Sequence, residues 1–136
     1  MTKTATAIFV QNPRTDIATL TGATAVTGRG NITGTTGLTA LVPTTTNGYR
    51  LDLFMLKWKG NSVAGLVGIW VYDGTTSYLW KEFDASTVVT ASNTVASKEQ
   101  SYDMTAVALA LKPTESLWVS QTVSQDLTVF AFGGEY

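Results

Sequence analysis

The residue types that could do chemistry in this sequence are carboxylates, lysines and arginines, hydroxyls and aromatic rings, because histidine and cysteine are both absent. Without histidine the chain lacks the commonest general base and metal ligand, and without cysteine it lacks thiol nucleophiles, disulfides and thiolate metal sites. A Ser-His-Asp triad is therefore excluded, and a Ser-Lys dyad is the only arrangement of that type left open.

The carboxylates are single and scattered, and none has the Asp-x-Asp spacing of a calcium loop. A glycosidase pair can meet from distant strands, so the sequence does not exclude one, but nothing in it selects one pair over another. We predict no enzyme activity, no metal and no cofactor. The ten positions are Asp16, Asp52, Asp73, Asp84, Asp103, Asp126, Glu82, Glu99, Glu115 and Glu135.

Asp73 and Gly74 open a short polar segment between two runs of β-branched and aromatic residues, which together span residues 66–83. Asp-Gly tolerates the positive φ of a tight reversal, so the pattern is typical of a β-hairpin. We interpret Asp73 as a turn residue and not as a metal ligand.

The four tryptophans and five tyrosines allow two interpretations. Exposed rings form platforms on which sugars stack, whereas rings at strand spacing more often fill a core or a subunit interface. We favour the second interpretation. The tryptophans are Trp58, Trp70, Trp80 and Trp118.

The composition limits the class of partner. The net charge is −1 and lysine and arginine are not clustered, so there is no basic patch for nucleic acid. The apolar step Ile8-Phe9-Val10 is far too short for a signal peptide or a membrane span, so we expect no membrane partner and a product of the cytoplasm. The Gly-rich residues 28–37 lack the Gly-Lys-Ser/Thr of a phosphate loop.

These residues must be positioned by strands, because no stretch has a helical period and threonine, which favours sheets, is the commonest residue. In residues 49–59, alternation predicts Leu51, Leu53 and Met55 on one face. The other face then carries Phe54, Leu56 and Trp58, preceded by Arg50 and Asp52.

Eight or nine strands follow one another at intervals of about ten residues, a spacing typical of a sandwich or barrel. We predict an all-β antiparallel β-sandwich, jelly-roll-like, formed by residues 17–136 as a single domain. Residues 1–16 are predicted to be an extended N-terminal arm, with Asn12-Pro13-Arg14 breaking any strand there. Residues 133–136 are expected to be a tail.

Two strings carry a family resemblance: residues 69–83, IWVYDGTTSYLWKEF, and residues 129–136, VFAFGGEY. With looser likeness over the strand from Tyr49 and over residues 111–122, the sequence resembles small virion proteins of tailed bacteriophages and prophages, in particular capsid decoration (cement) proteins. The resemblance implies a small β-sandwich, commonly trimeric, without catalytic residues. It implies a location on the outer surface of the head after synthesis in the host cytoplasm.

The partners implied are the major capsid protein and further copies of the same chain, with no nucleic acid and no membrane. Two interface hypotheses follow. The arm, with Ile8, Phe9 and Val10, could pair with a strand edge of a neighbour. An aromatic face of the hairpin, with Trp70, Tyr72, Tyr78 and Trp80, would hold the oligomer. The alternative is a receptor- or glycan-binding module of a tail or head fibre.

Overall fold

Ten β-strands make up the fold in the computed structural model, which describes residues 12–22, 29–84, 88–104 and 109–136. Within these ranges there is no helix, and hence none long and apolar enough to cross a membrane. The strands are β1 (Asn12–Leu20), β2 (Ile32–Thr33), β3 (Thr39–Val42), β4 (Tyr49–Trp58), β5 (Leu66–Tyr72), β6 (Thr76–Asp84), β7 (Glu99–Asp103), β8 (Leu109–Leu111), β9 (Ser116–Gln121) and β10 (Leu127–Glu135).

The strands form two antiparallel sheets of five strands each, packed as a sandwich. The first sheet has the order β1-β10-β4-β7, and β8 also pairs with β4. The second sheet has the order β2-β6-β5-β9-β3. Edge strands of the two sheets face each other, since β1 contacts β3. The prediction of an all-β antiparallel sandwich is confirmed.

The core lies between the sheets and is built from alternate residues of the central strands. Its largest fully buried members come from β4, namely Tyr49, Leu51, Phe54, Leu56 and Trp58. The second sheet contributes Val67, Ile69, Leu117 and Val119, and β10 contributes Leu127, Val129 and Ala131.

A bulge in the pairing of β4 with β10 changes which residues of β4 point inward. Phe132 pairs with Leu53 but Gly133 pairs with Leu51, so Asp52 is an extra residue on β4. Before the bulge Leu51 is buried, and after it Phe54 and Leu56 are buried. Uniform alternation was therefore the wrong prediction for this strand, because an extra residue reverses the phase of every side chain beyond it.

The turn of the β5-β6 hairpin is held by Asp73, as predicted. Its Oδ1 accepts hydrogen bonds from the backbone N–H groups of Thr75, at 2.9 Å, and Thr76, at 2.8 Å. Gly74 has φ +100, a conformation that other residues rarely adopt. The hydrogen bonds from Thr76 and Thr75 favour the ionised carboxylate and hold the pKa of Asp73 below its usual value.

Both chain ends differ from the sequence expectation. Residues 12–16 are not part of an arm, because β1 begins at Asn12 and pairs with β10 along its whole length, from Asn12 with Glu135 to Leu20 with Leu127. Pro13 is tolerated there because β1 has no further described neighbour in the sheet. The expected tail is strand as far as Glu135, since β10 pairs with both β1 and β4. Residues 1–11 lie outside the described residues.

Candidate functional site

The aromatic residues of the hairpin do not form one exposed face. Trp80 packs against the core, with its ring centroid 5.8 Å from that of Phe54. Trp70 alternates with the core residues Ile69 and Val71 and so belongs to the opposite, outer face of the second sheet. The separation has a local cause: the β5-β6 register shifts between Ile69 and Trp70, which leaves Trp80 as an extra residue in β6.

Trp70 is on an outer face and is nevertheless only 2% exposed. Its Nε1 donates a 2.9 Å hydrogen bond to the hydroxyl of Ser120. Gly68 leaves the space that this indole needs, since a Cβ there would lie 3.0 Å from Trp70 Nε1 and 2.8 Å from Ser120 Oγ. Trp70 is therefore a packing residue of this sheet and is not available to a partner.

The other predicted interface residues are dispersed. Tyr78 is 43% exposed, and Tyr72 is half-buried with its hydroxyl donating to the Gly74 carbonyl at 2.8 Å. Ile8, Phe9 and Val10 lie outside the described residues. Of the four hairpin aromatics predicted to form an interface, Tyr78 is exposed, Tyr72 and Trp80 are half-buried and Trp70 is buried, so the four do not share one exposed face.

A different surface combines apolar side chains on neighbouring strands. Ile17 of β1 pairs with Phe130 of β10, which pairs with Met55 of β4. Two residues further along β10, Phe132 pairs with Leu53 of β4. Cross-strand partners share a face of the sheet, and the residues alternating with these are in the core, so all five point outward. We call Ile17, Leu53, Met55, Phe130 and Phe132 the outer apolar face.

The residues of the outer apolar face are accessible and regularly arranged. Ile17 is 57% exposed, and the other four are half-buried. The rings of Phe130 and Phe132 lie parallel, with centroids 6.2 Å apart and an interplanar angle of 8°. Contiguous exposed apolar surface is a common feature of association sites in proteins, so this face is a candidate for one.

Polar groups border the outer apolar face on β4. Arg50 Nε donates to Asp52 Oδ1 at 2.8 Å on one side, and Lys57 Nζ lies 3.3 Å from Glu99 Oε2 on the other. An apolar centre with a charged rim that remains accessible to water is the usual composition of a protein–protein interface. These two pairs are partly exposed, so they add little stability and serve orientation instead.

Part of this surface was accessible to sequence reasoning. Leu53 and Met55 were correctly placed on one face of their strand, although Leu51 was placed there too. Phe130 and Phe132 alternate with the core residues Val129 and Ala131. This is the period-two pattern of a strand whose two faces are both apolar. What the sequence did not show is that β1, β10 and β4 are neighbours and that their registers align these residues.

A partly buried polar cluster lies at the start of β1. Arg14 donates from Nη1 to Glu135 Oε1 at 2.9 Å and from Nη2 to Asp16 Oδ1 at 2.8 Å. The hydrogen bond that Arg14 donates to Asp16 raises the pKa of Arg14, and burial together with the nearby Asp16 charge raises the pKa of Tyr49. Tyr49 is 1% exposed, so substrate cannot reach it, and the cluster is suited to fixing the β1-β10 register.

The carboxylates of the described residues do not assemble into a metal centre, since no three of them gather at one place there. Several are instead engaged in ion pairs or turns, such as Glu82, which accepts from Arg29 Nε at 2.8 Å.

A pocket of ≈ 310 Å³ opens on the outer side of the second sheet, at the end near the hairpin turn. Tyr72 and Trp118 form one part of its wall, with ring centroids 6.2 Å apart and planes at 83°. The complete lining is Ala40, Val42, Pro43, Thr44, Tyr72, Gly74, Thr114, Ser116 and Trp118. Of the aromatic residues considered for a sugar platform, Trp118 and Tyr72 thus line this pocket.

The chain matches no protein-family model, and no curated protein has significant similarity to it. The outer apolar face, the pocket and the resemblance of the hairpin and carboxyl-terminal sequences are therefore the grounds for a functional proposal.

Proposed function

We propose that this chain is a structural virion protein of a tailed bacteriophage, a capsid decoration (cement) protein that binds the outer surface of the head and stabilises the lattice of the major capsid protein. It associates with further copies of itself, and the resemblance implies a trimer. The observation that carries the self-association is the outer apolar face, which replaces the hairpin aromatics as the predicted contact between copies.

The physical argument starts from the cost of leaving this face in water. Each large apolar side chain that passes from full exposure to full burial gains about 1.5–3 kcal/mol. Phe130, Phe132 and Met55 lie on paired strands inside the sheet and are only half-buried. In a closed ring of copies, such as the trimer that the resemblance implies, the outer apolar faces can meet around the symmetry axis, so that apolar groups contact apolar groups.

The strand order supports the jelly-roll part of the proposal. The chain pairs as a long hairpin rolled up on itself: β1 with β10, β3 with β9, β4 with β7 and β8, and β5 with β6. The two sheets then have the order of a double Greek key, with β2 as an addition at one edge. Rigid sandwiches of this kind are suited to an exposed position on a shell, because they need no disulfide and no metal.

The head position is tested by the copy number of the chain relative to the major capsid protein in purified particles, measured by quantitative mass spectrometry. A ratio near one to one is expected for a protein that coats the lattice. A ratio of a few per hundred would place it at the neck, a vertex or the tail and would contradict decoration.

The self-association is tested by replacing Ile17 and Met55 together with threonine, which keeps strand propensity while removing apolar area. The double variant is expected to dissociate, with the dissociation constant raised about tenfold per residue. Sedimentation velocity at several concentrations gives the measurement. Val88→Thr is the matched control, because Val88 is 59% exposed, like Ile17 at 57%, but is not on this face. An oligomer that withstands the double substitution as well as the control would refute this interface.

A further inference from the structure

The pocket beside Tyr72 and Trp118 is not part of the proposed self-association surface, because it lies on the outer side of the second sheet while the outer apolar face belongs to the first. Its volume of ≈ 310 Å³ is at the lower end of the range for small-molecule sites, which runs from about 300 to 1,000 Å³. The pocket therefore has room for a small ring or for a few residues of an extended chain.

The lining selects a neutral ligand. None of the nine lining residues has an ionisable carboxylate or base, so an anion or a cation would lose its hydration without gaining a partner of opposite charge. Besides Tyr72, the hydroxyl-bearing residues of the lining are Thr44, Thr114 and Ser116. A hydroxyl both donates and accepts, and so matches a ligand whose own polar groups are hydroxyls.

The aromatic pair supplies the apolar part of the site. The planes of Tyr72 and Trp118 are nearly perpendicular, at 83°, so the two rings enclose a corner. A pyranose ring has a flat apolar C–H side and a polar edge. In such a corner its C–H side contacts one aromatic ring, while its hydroxyls remain directed toward Ser and Thr side chains.

The internal hydrogen bonds distinguish this ligand from a proline-rich peptide. Aromatic grooves that bind such peptides need donors for the peptide carbonyls in addition to the apolar surface. Here Trp118 Nε1 already donates to Ser116 Oγ at 2.9 Å, and the Tyr72 hydroxyl already donates to the Gly74 carbonyl at 2.8 Å. Both aromatic donors of the lining are thus engaged within the protein, which leaves hydroxyls as the side-chain donors for a ligand.

We propose that the pocket formed by Tyr72, Trp118, Pro43 and the hydroxyls of Thr44, Thr114 and Ser116 binds a neutral sugar residue. The site stands independently of the head position and of the oligomeric state, and it gives the chain a binding activity for an uncharged glycan in addition to a structural role.

The test is a titration of the full chain with methyl glycosides of neutral hexoses and of N-acetylhexosamines, followed by saturation-transfer NMR and calorimetry, with an oligoproline peptide as a second probe. At least one sugar is expected to saturate, and Trp118→Ala to weaken its binding by about tenfold or more. Trp118→Phe keeps an aromatic face and should retain part of the affinity. Thr114→Val keeps the shape of the side chain without the hydroxyl and should weaken sugar binding as well.

Tyr78→Ala is the matched control, since Tyr78 is an exposed aromatic residue of the same hairpin outside the pocket lining. Binding that Tyr78→Ala leaves intact and Trp118→Ala removes supports the site. Sugar binding that withstands Trp118→Ala, saturation by oligoproline alone, or no saturation by any of these glycosides each overturns it. The double threonine variant of Ile17 and Met55 should still bind the sugar, so a failure of the self-association proposal remains distinguishable from a failure of this one.

Discussion

Gly133 occupies the bulge between β10 and β4, and its replacement by alanine is expected to destabilise the whole sandwich. A Cβ on Gly133 would overlap the carbonyl oxygen of Arg50 and would lie 3.0 Å from the Arg50 carbonyl carbon and 2.9 Å from the Tyr49 hydroxyl. Two of these three atoms belong to the backbone of the neighbouring strand. They cannot turn away as a flexible side chain would, so β4 or β10 must move.

The magnitude follows from the parts that must shift. Extra volume in a well-packed site costs about 1–3 kcal/mol, and each ladder hydrogen bond weakened by moving a strand adds about 0.5–1.5 kcal/mol. We expect Gly133→Ala to lower the free energy of unfolding by about 3 kcal/mol. For a domain of this size, that corresponds to a fall in Tm of about 10 °C.

Urea denaturation at neutral pH, followed by tryptophan fluorescence, measures this change, with an unchanged m-value required for the comparison. Gly22→Ala is the matched control, because a Cβ there meets no atom within 4 Å, and its effect should stay within about 0.5 kcal/mol. If Gly133→Ala unfolds at the same urea concentration as the control, the close approach of β10 to Arg50 is not a constraint on the fold.

Two further predictions concern polar groups. The Tyr49 hydroxyl is buried without a hydrogen-bond partner among the described atoms, so Tyr49→Phe should raise the free energy of unfolding by about 1 kcal/mol. Burial raises the pKa of Tyr49 in the folded chain, so wild-type stability should fall as the pH rises above about 10, the pKa of tyrosine in the unfolded chain. The Phe variant should lose that part of the pH dependence. If the free energy of unfolding falls equally steeply with pH above about 10 in both proteins, this prediction is contradicted. The lowered pKa of Asp73 has the opposite sign: its stabilisation is present above the ordinary value of 3.8 and is lost as the pH falls through the lower folded value. Asp73→Asn should therefore approach wild-type stability in acid, and a stability difference that is constant between neutral and acid pH would rule this out.

The hairpin shows how far local sequence information reaches. Asp73-Gly74 predicted the turn because it acts through its own backbone neighbours, Thr75 and Thr76. The alternation on either side predicted both strands. Their faces were predicted less well, because the extra residue Trp80 depends on how β6 registers against β5, and that register is set by the packing of Phe83 and Ile69 in the core.

The amino-terminal strand shows the same limit of local sequence information. Pro13 predicts a break in any strand when only its own missing N–H is considered. An edge strand tolerates the missing N–H on its unpaired side. β1 is placed at the edge of the first sheet by its pairing with β10, which is more than a hundred residues away in sequence. Sequence alone could not supply a pairing of this separation.

The candidate sites divide in the same way. Composition and local alternation were enough to predict an all-β domain with a turn at Asp73-Gly74 and without histidine or cysteine chemistry. Tertiary structure decided that Trp70 is buried, that Trp118 meets Tyr72 at a pocket, and that Ile17, Phe130 and Met55 form one row. The physical reason is that a strand presents two faces, and only its register against distant strands and their bulges determines which face is covered.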